Sequence, residues 1–296
     1  MFVGGAMINS LDRILAGVWI APFRLWLDVD SGVQPTAQML RGVLGRAIMD
    51  IDPYCYAAVF RPDPIDGVST PRFLIRMAPV DPIVSPAIDY VLLGTGICHA
   101  ETMWRCWDRA CERGIGERGN FHSFGIRQIF QLGPNESIVP ADRELNSWTL
   151  ADAVWLADDQ ASLLPISMSF PSPLRLRGGP ESKSSFIQNP TLVDVVVATI
   201  RRIRALHIEP FAVDWKELTN QSIAIAKSMK CTWRDGRQVD FVRPSKPQRT
   251  KLHYRCVTGS LCIESDPGPL WPLLTASTWL HIGKGTTNGL GQVVMV

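Results

Sequence analysis

The chain has 296 residues, 46% hydrophobic and 20% charged, with a mean hydropathy of +0.06. That excludes low-hydropathy disorder, and 23 glycines and 22 prolines without a repeat exclude collagen-like and low-complexity architectures. No stretch reaches the ~18 apolar residues of a membrane span; the nearest approach, 16–27, is broken by Pro22 and Arg24.

The net charge of +2 divides unevenly. Residues 1–160 hold 13 Lys and Arg against 19 Asp and Glu, whereas 161–296 hold 17 against 9. A polyanion is therefore expected on the C-terminal half. Arg outnumbers Lys 23 to 7, which suits bidentate phosphate contact and equally a GC-rich genome. The 7 cysteines are odd in number, and no basic segment precedes an apolar run at the N-terminus. Reduced thiols, no secretory signal, no membrane and a cytoplasmic location are the expectations.

In chain order, Leu15–Asp28 reads as a strand, rich in Trp, Val, Ile and Phe. Thr36 caps a helix carrying Met39, Leu40, Val43, Leu44, Ala47 and Ile48 at helical spacing and ending before Pro53. Tyr54–Phe60, Arg72–Met77 and Ile88–Leu93 read as short strands. Glu101–Arg113 is a helix stopped by Gly114 and Gly116, and Phe121–Leu132 is a strand. This β-α-β-β-α-β order is the ferredoxin-like arrangement. Residues 133–160 read as a linker and a peripheral strand.

The second half repeats the order. Leu163–Leu176 is a strand, Leu192–His207 a strongly amphipathic helix, and Asp214–Lys227 an inserted helix. Met229–Arg234 and Lys251–Glu264 are strands, Leu270–Thr278 a short helix, and Gln292–Val296 the closing strand. The expected fold class is α+β. Two tandem ferredoxin-like domains, 1–160 and 161–296, end with a C-terminal glycine-rich loop.

That loop, His281-Ile-Gly-Lys-Gly-Thr-Thr-Asn-Gly-Leu-Gly291, is the most informative segment. It is not a phosphate-binding Walker loop, because Lys284 lies between two glycines. By composition it is an ordinary glycine turn, or a nest of backbone N–H groups with Lys284 adding charge. Cys98, His99, Cys106 and Cys111 lack paired metal-ligand spacing, so no metal is expected. Gly114-Ile-Gly-Glu-Arg-Gly119 follows a helix rather than a strand, so no dinucleotide cofactor is expected.

A glycine-rich loop before the last strand of a second ferredoxin-like domain resembles the RAMP superfamily of CRISPR-associated proteins. Within it, the chain is similar to the endoribonucleases that process precursor CRISPR RNA. Leu40-Arg-Gly-Val-Leu-Gly-Arg-Ala-Ile48, Ala110-Cys-Glu-Arg-Gly-Ile-Gly-Glu-Arg-Gly-Asn-Phe121 and Ser172-Pro-Leu-Arg-Leu176 add to the resemblance. It implies a cofactor-free, metal-independent enzyme that binds the CRISPR repeat hairpin. The ribose 2′-hydroxyl attacks the adjacent phosphate, leaving a 2′,3′-cyclic phosphate and a 5′-hydroxyl. The mature crRNA is then retained in an effector complex with other subunits.

Residues 227–255 hold nine Lys and Arg against two Asp. The resemblance assigns Arg243, Lys246, Arg249, Lys251 and His253 to the stem, with His281, Gly283, Lys284, Gly285, Gly289 and Gly291 on the RNA as well. A merely solvated basic hairpin competes with that reading. For Arg201, Arg202 and Arg204 on the long helix, a solvated outer face is the better reading.

Many family members place a His in or after the first helix. Here no His precedes His99, and that helix carries Arg41 and Arg46. Arginine is a poor base but a good stabiliser of phosphorane charge. Catalysis is therefore assigned to Arg24, Arg46 and Arg41, as in family branches without the His, type IV systems among them. Arg24 and Arg46 are expected to face one groove. Arg41 has a structural reading too, and the alternative for the whole chain is a non-catalytic RAMP subunit that binds the crRNA end.

Overall fold

A computed structural model describes residues 3–30, 32–64, 69–78, 86–117, 120–135, 137–141, 143, 145–157, 165–177, 186–208, 212–245 and 250–295. The chain opens with helix α1 (Val3–Ala16) and strand β1 (Trp19–Val29). Leu15, expected to begin the strand, is instead buried on α1 with Leu11 and Ile14. Helix α2 (Ala37–Ile51) starts where Thr36 accepts a hydrogen bond from the Met39 amide at 3.2 Å.

Tyr54–Phe60 is not a strand but most of helix α3 (Pro53–Phe60). Asp52 accepts from the Tyr54 and Cys55 amides, and Pro53 occupies the first turn, where its missing N–H costs nothing. Strands β2 (Phe73–Met77) and β3 (Ala87–Leu93) follow, then α4 (Ala100–Arg113), the short β4 (Ile115–Glu117) and β5 (Asn120–His122), and β6 (Phe124–Leu132). Beyond them come β7 (Ile138–Pro140), β8 (Trp148–Thr149) and helix α5 (Leu150–Ala157).

The first sheet runs β2-β3-β1-β6-β7, all antiparallel, with β8 pairing on β1. Alternation along β1 sends Ala21, Phe23, Leu25 and Leu27 into a core shared with α2 and α4. Ile20 goes to the opposite face. There it joins Leu74, Val91, Leu93, Leu132 and α1 in a second core that continues through the C-terminal half.

That half contains β9 (Ile166–Leu174), α6 (Leu192–Leu206), α7 (Trp215–Ser228), β10 (Cys231–Ser245), β11 (Thr250–Ile263), α8 (Trp271–Leu280) and β12 (Val294–Met295). Thr191 and Asp194 form a reciprocal capping box at α6, and Asp214 caps α7. The sheet order is β10-β11-β9-β12. β1 lies between β3 and β6 in the first sheet, as β9 lies between β11 and β12 in the second.

β10 continues well past Arg234, the expected end, to Ser245. Asp235 and Gly236 form a bulge, with Asp235 at φ 53° and a register shift between Arg234 and Arg237. Among the described residues, no helix is long and apolar enough to cross a membrane.

Candidate functional site

The loop after α8 is sewn to the end of β9. The Lys284 amide donates to the Arg175 carbonyl at 2.9 Å and the Gly291 amide to the Pro173 carbonyl at 3.0 Å. The Gln292 amide donates to the Ser172 hydroxyl at 2.8 Å. Gly283 has φ 85°, and a Cβ there would strike the Arg175 carbonyl, so only glycine allows this approach.

On its other side the loop docks on the first half. A short 3₁₀ turn, Thr286–Asn288, packs on α2 and β2, and Arg41 Nε donates to the Thr287 hydroxyl at 2.9 Å. A Cβ on Gly289, at φ 81°, would stand 2.8 Å from the Cβ of Ala37. The loop therefore joins the two sheets.

Seven of its amides, those of Ile282, Lys284, Asn288, Gly289, Leu290, Gly291 and Gln292, are tied into the fold. The charge comes from side chains. Burial lowers the Lys284 pKa, and Arg177, Arg175 and Arg201 lower it further. Arg177 and Arg201 are exposed, and Arg175 and Lys284 half-buried. A lysine crowded by three arginines is an anion-binding environment.

The Arg175 guanidinium lies 4.0 Å from the centre of the Tyr254 ring. Tyr254 in turn stacks on Phe241 across the β10–β11 pair, at 6.5 Å and 15°. A basic and aromatic strip thus runs from Lys284 onto the long hairpin. Cations with flat rings are what phosphates and unstacked bases engage.

Residues 168–293, which contain this strip and the loop, match the family described as CRISPR-associated endoribonuclease Cas6. The match covers less than half of the chain. Over most of its length the chain is also similar in fold to two solved structures. One is a Cas6 product complex, with TM-score 0.59, 11% identity, 94% of this chain and 99% of that one covered. The other is Thermus thermophilus Cas6, with TM-score 0.56, 12% identity and the same 94% and 99% coverage. No curated protein sequence matches the chain.

Within the matched segment, His253 is exposed on β11, opposite Val242. Arg243 pairs with Leu252 and Lys251 with Pro244 in the ladder, whereas Lys246 and Arg249 lie outside the described residues. His281 departs from expectation: it is fully buried, so it offers RNA no surface. Its Nδ1 donates to the Leu290 carbonyl at 3.2 Å. Burial, then Arg76, push its pKa down to about 3, so the ring stays neutral.

The three expected catalytic arginines are not gathered in one place. Because Phe23 and Leu25 face α2, Arg24 projects from the other side of the sheet. There its Nε and Nη2 donate to the two Asp89 oxygens at 2.7 and 3.1 Å, and Arg76 Nε donates to the same carboxylate at 2.9 Å. Arg41 lies 5.6 Å over the Phe60 ring and holds the loop, while Arg46 lies 6.0 Å over the Phe121 ring on the opposite flank of α2.

Sequence reasoning missed Arg76, and it quoted Arg175 only within the segment Ser172–Leu176. Arg177 carried no signal of its own. These roles depend on which strand end meets the loop, and local spacing does not encode that.

Proposed function

We propose that the chain is an endoribonuclease that binds a CRISPR repeat hairpin and cuts precursor crRNA. We read each sheet with its helices as a ferredoxin-like unit, 1–160 and 161–296. The observation that carries the function is the cluster of Lys284, Arg175, Arg177 and Arg201 against the glycine-rich loop of the segment that matches the Cas6 family. The stem runs along the β10–β11 hairpin, where Arg243, Lys246, Arg249, Lys251 and His253 meet its phosphates. The loop glycines let the backbone bring Lys284 to the RNA, and Arg41 fixes the loop against α2.

The cut is an attack of the 2′-hydroxyl on the neighbouring phosphate, giving a 2′,3′-cyclic phosphate and a 5′-hydroxyl. Side-chain cations supply the stabilising charge, so no metal ion takes part. Arg24 is committed to Asp89, so Arg46 is left to face the phosphorane, in the manner of the Arg-led branches that include type IV enzymes. Many phosphate contacts make product release slow, which keeps the crRNA on the protein for other effector subunits in the cytoplasm.

End-labelled repeat RNA incubated in EDTA tests this. Cleavage to a cyclic-phosphate end supports the enzyme, and cleavage that needs magnesium overturns the mechanism. A second reading, a subunit that only binds the crRNA end, draws on the Arg24–Asp89 pair and on the absence of a His from α2. A stable shift without cleavage would establish it.

A further inference from the structure

Among the described residues, the seam between the two halves holds more positive charge than its carboxylates neutralise. Arg72 and Arg76 each reach the last turn of a helix in the other half. Arg72 Nη1 donates to the Ala205 carbonyl of α6, and Arg76 Nη1 to the Thr278 carbonyl of α8 at 3.2 Å. Cations suit helix C-termini. Arg76 also has Asp89. Among the described residues Arg72 makes no such ion pair, and its Nε is buried without a partner.

Next to it lies Arg202, one turn before Ala205 on α6 and on the side away from exposed Arg201. Arg202 is 7% exposed, and both its Nε and its Nη2 are buried without partners among the described residues. Those two nitrogens form one edge of the guanidinium fork, the edge that grips an anion side-on. His281 also reaches this region, and it is neutral, so it brings no compensating charge. Burial and the proximity of Arg72 pull the Arg202 pKa down to about 9.

A desolvated cation with open N–H groups is among the costliest arrangements a fold can hold. We propose that a small inorganic anion, a halide or a phosphate-class oxyanion, occupies the seam against Nε and Nη2 of Arg202 and Nε of Arg72. It would offset the charge, satisfy the open donors and tie α6 to the strand that begins at Phe73. The proposal does not rest on the RNA reading, since the site is buried and belongs to the resting fold.

Crystals of the full chain soaked in bromide should show an anomalous peak at the Arg202 edge, and crystals from phosphate a tetrahedral density there. Water at that edge, or a carboxylate of this chain, would overturn the proposal. In solution, exchanging gluconate for chloride or phosphate at constant ionic strength should raise Tm by about 5 °C. The anion with the larger rise names the occupant. Arg202→Met should abolish the rise, and an unchanged rise in that variant would overturn the site. Should Arg202→Met fail to fold, Arg202→Lys, which lacks the two-nitrogen edge, is the substitute and should blunt the rise.

Discussion

Arg24 and Arg76 share the buried carboxylate of Asp89, whereas Arg175, Arg177 and Arg201 gather around Lys284 at the glycine-rich loop, where burial and then their charge lower the lysine's pKa. Both groups are built mainly of arginine, in one chain. What separates them is that β3 places Asp89 on the face of the sheet turned toward α8, where its charge is cancelled on the spot. At the loop these four cations make no ion pair among the described residues. Arginine content alone therefore says little about nucleic-acid binding; the position of the carboxylates decides.

The sharpest way to break this comparison is Asp89→Asn. It removes the carboxylate that Arg24 and Arg76 share, and should lower stability by about 3–5 kcal/mol, read from urea midpoints. Arg46→Ala should slow single-turnover cleavage by roughly 10²–10³ with far less effect on repeat binding. Arg24→Ala should instead show its loss in stability. Equal rate losses in the two variants, with stability intact, would return Arg24 to the reacting phosphate.

The buried His281 gives a pH test. Its pKa in the folded protein is about 3, below the unfolded value of 6.5, so the unfolded chain binds the extra proton between those values. Stability is complete above pH 6.5 and falls as the pH drops, by up to about 1.4 kcal/mol per unit from this group. His281→Gln should flatten that slope in denaturant titrations. The smallest effect belongs to Lys284→Ala. Repeat affinity should fall and the salt dependence of binding lessen by about one phosphate, with Tm unchanged. An unchanged salt slope would remove Lys284 from the interface.

The elements with strong local grammar could be read directly. Thr36 before a 3.6-period run gave α2, and Thr191 with Asp194 marks the start of α6. The misread ones have two-sided signals. Tyr54, Tyr56 and Phe60 are strand-prone types, yet Asp52-Pro53 is a helix start, and the cap prevailed. Asp235-Gly236 looks like a turn but is absorbed as a bulge, because the Trp233 indole fills the space that a side chain on Gly236 or Gly259 would need. The glycine-rich loop could be placed from sequence, and the cations that serve it could not. Arg175 and Arg201 are brought to Lys284 by the return of β9 and by the packing of α6, which only the assembled sheet defines.

The β10–β11 hairpin has a further consequence. β11 pairs with β9 only from Val257 onward, so from Cys256 to Thr250 it is laddered to β10 alone among the described residues. That makes a two-stranded finger of about 20 Å beyond the body of the sheet. Such a ribbon can be resized without redesigning the rest. Deleting two residues from each strand draws the tip in by about 7 Å and leaves every remaining side chain on its own face. Losing one residue from a single strand would flip the alternation beyond it. Reach is therefore adjustable only in paired steps.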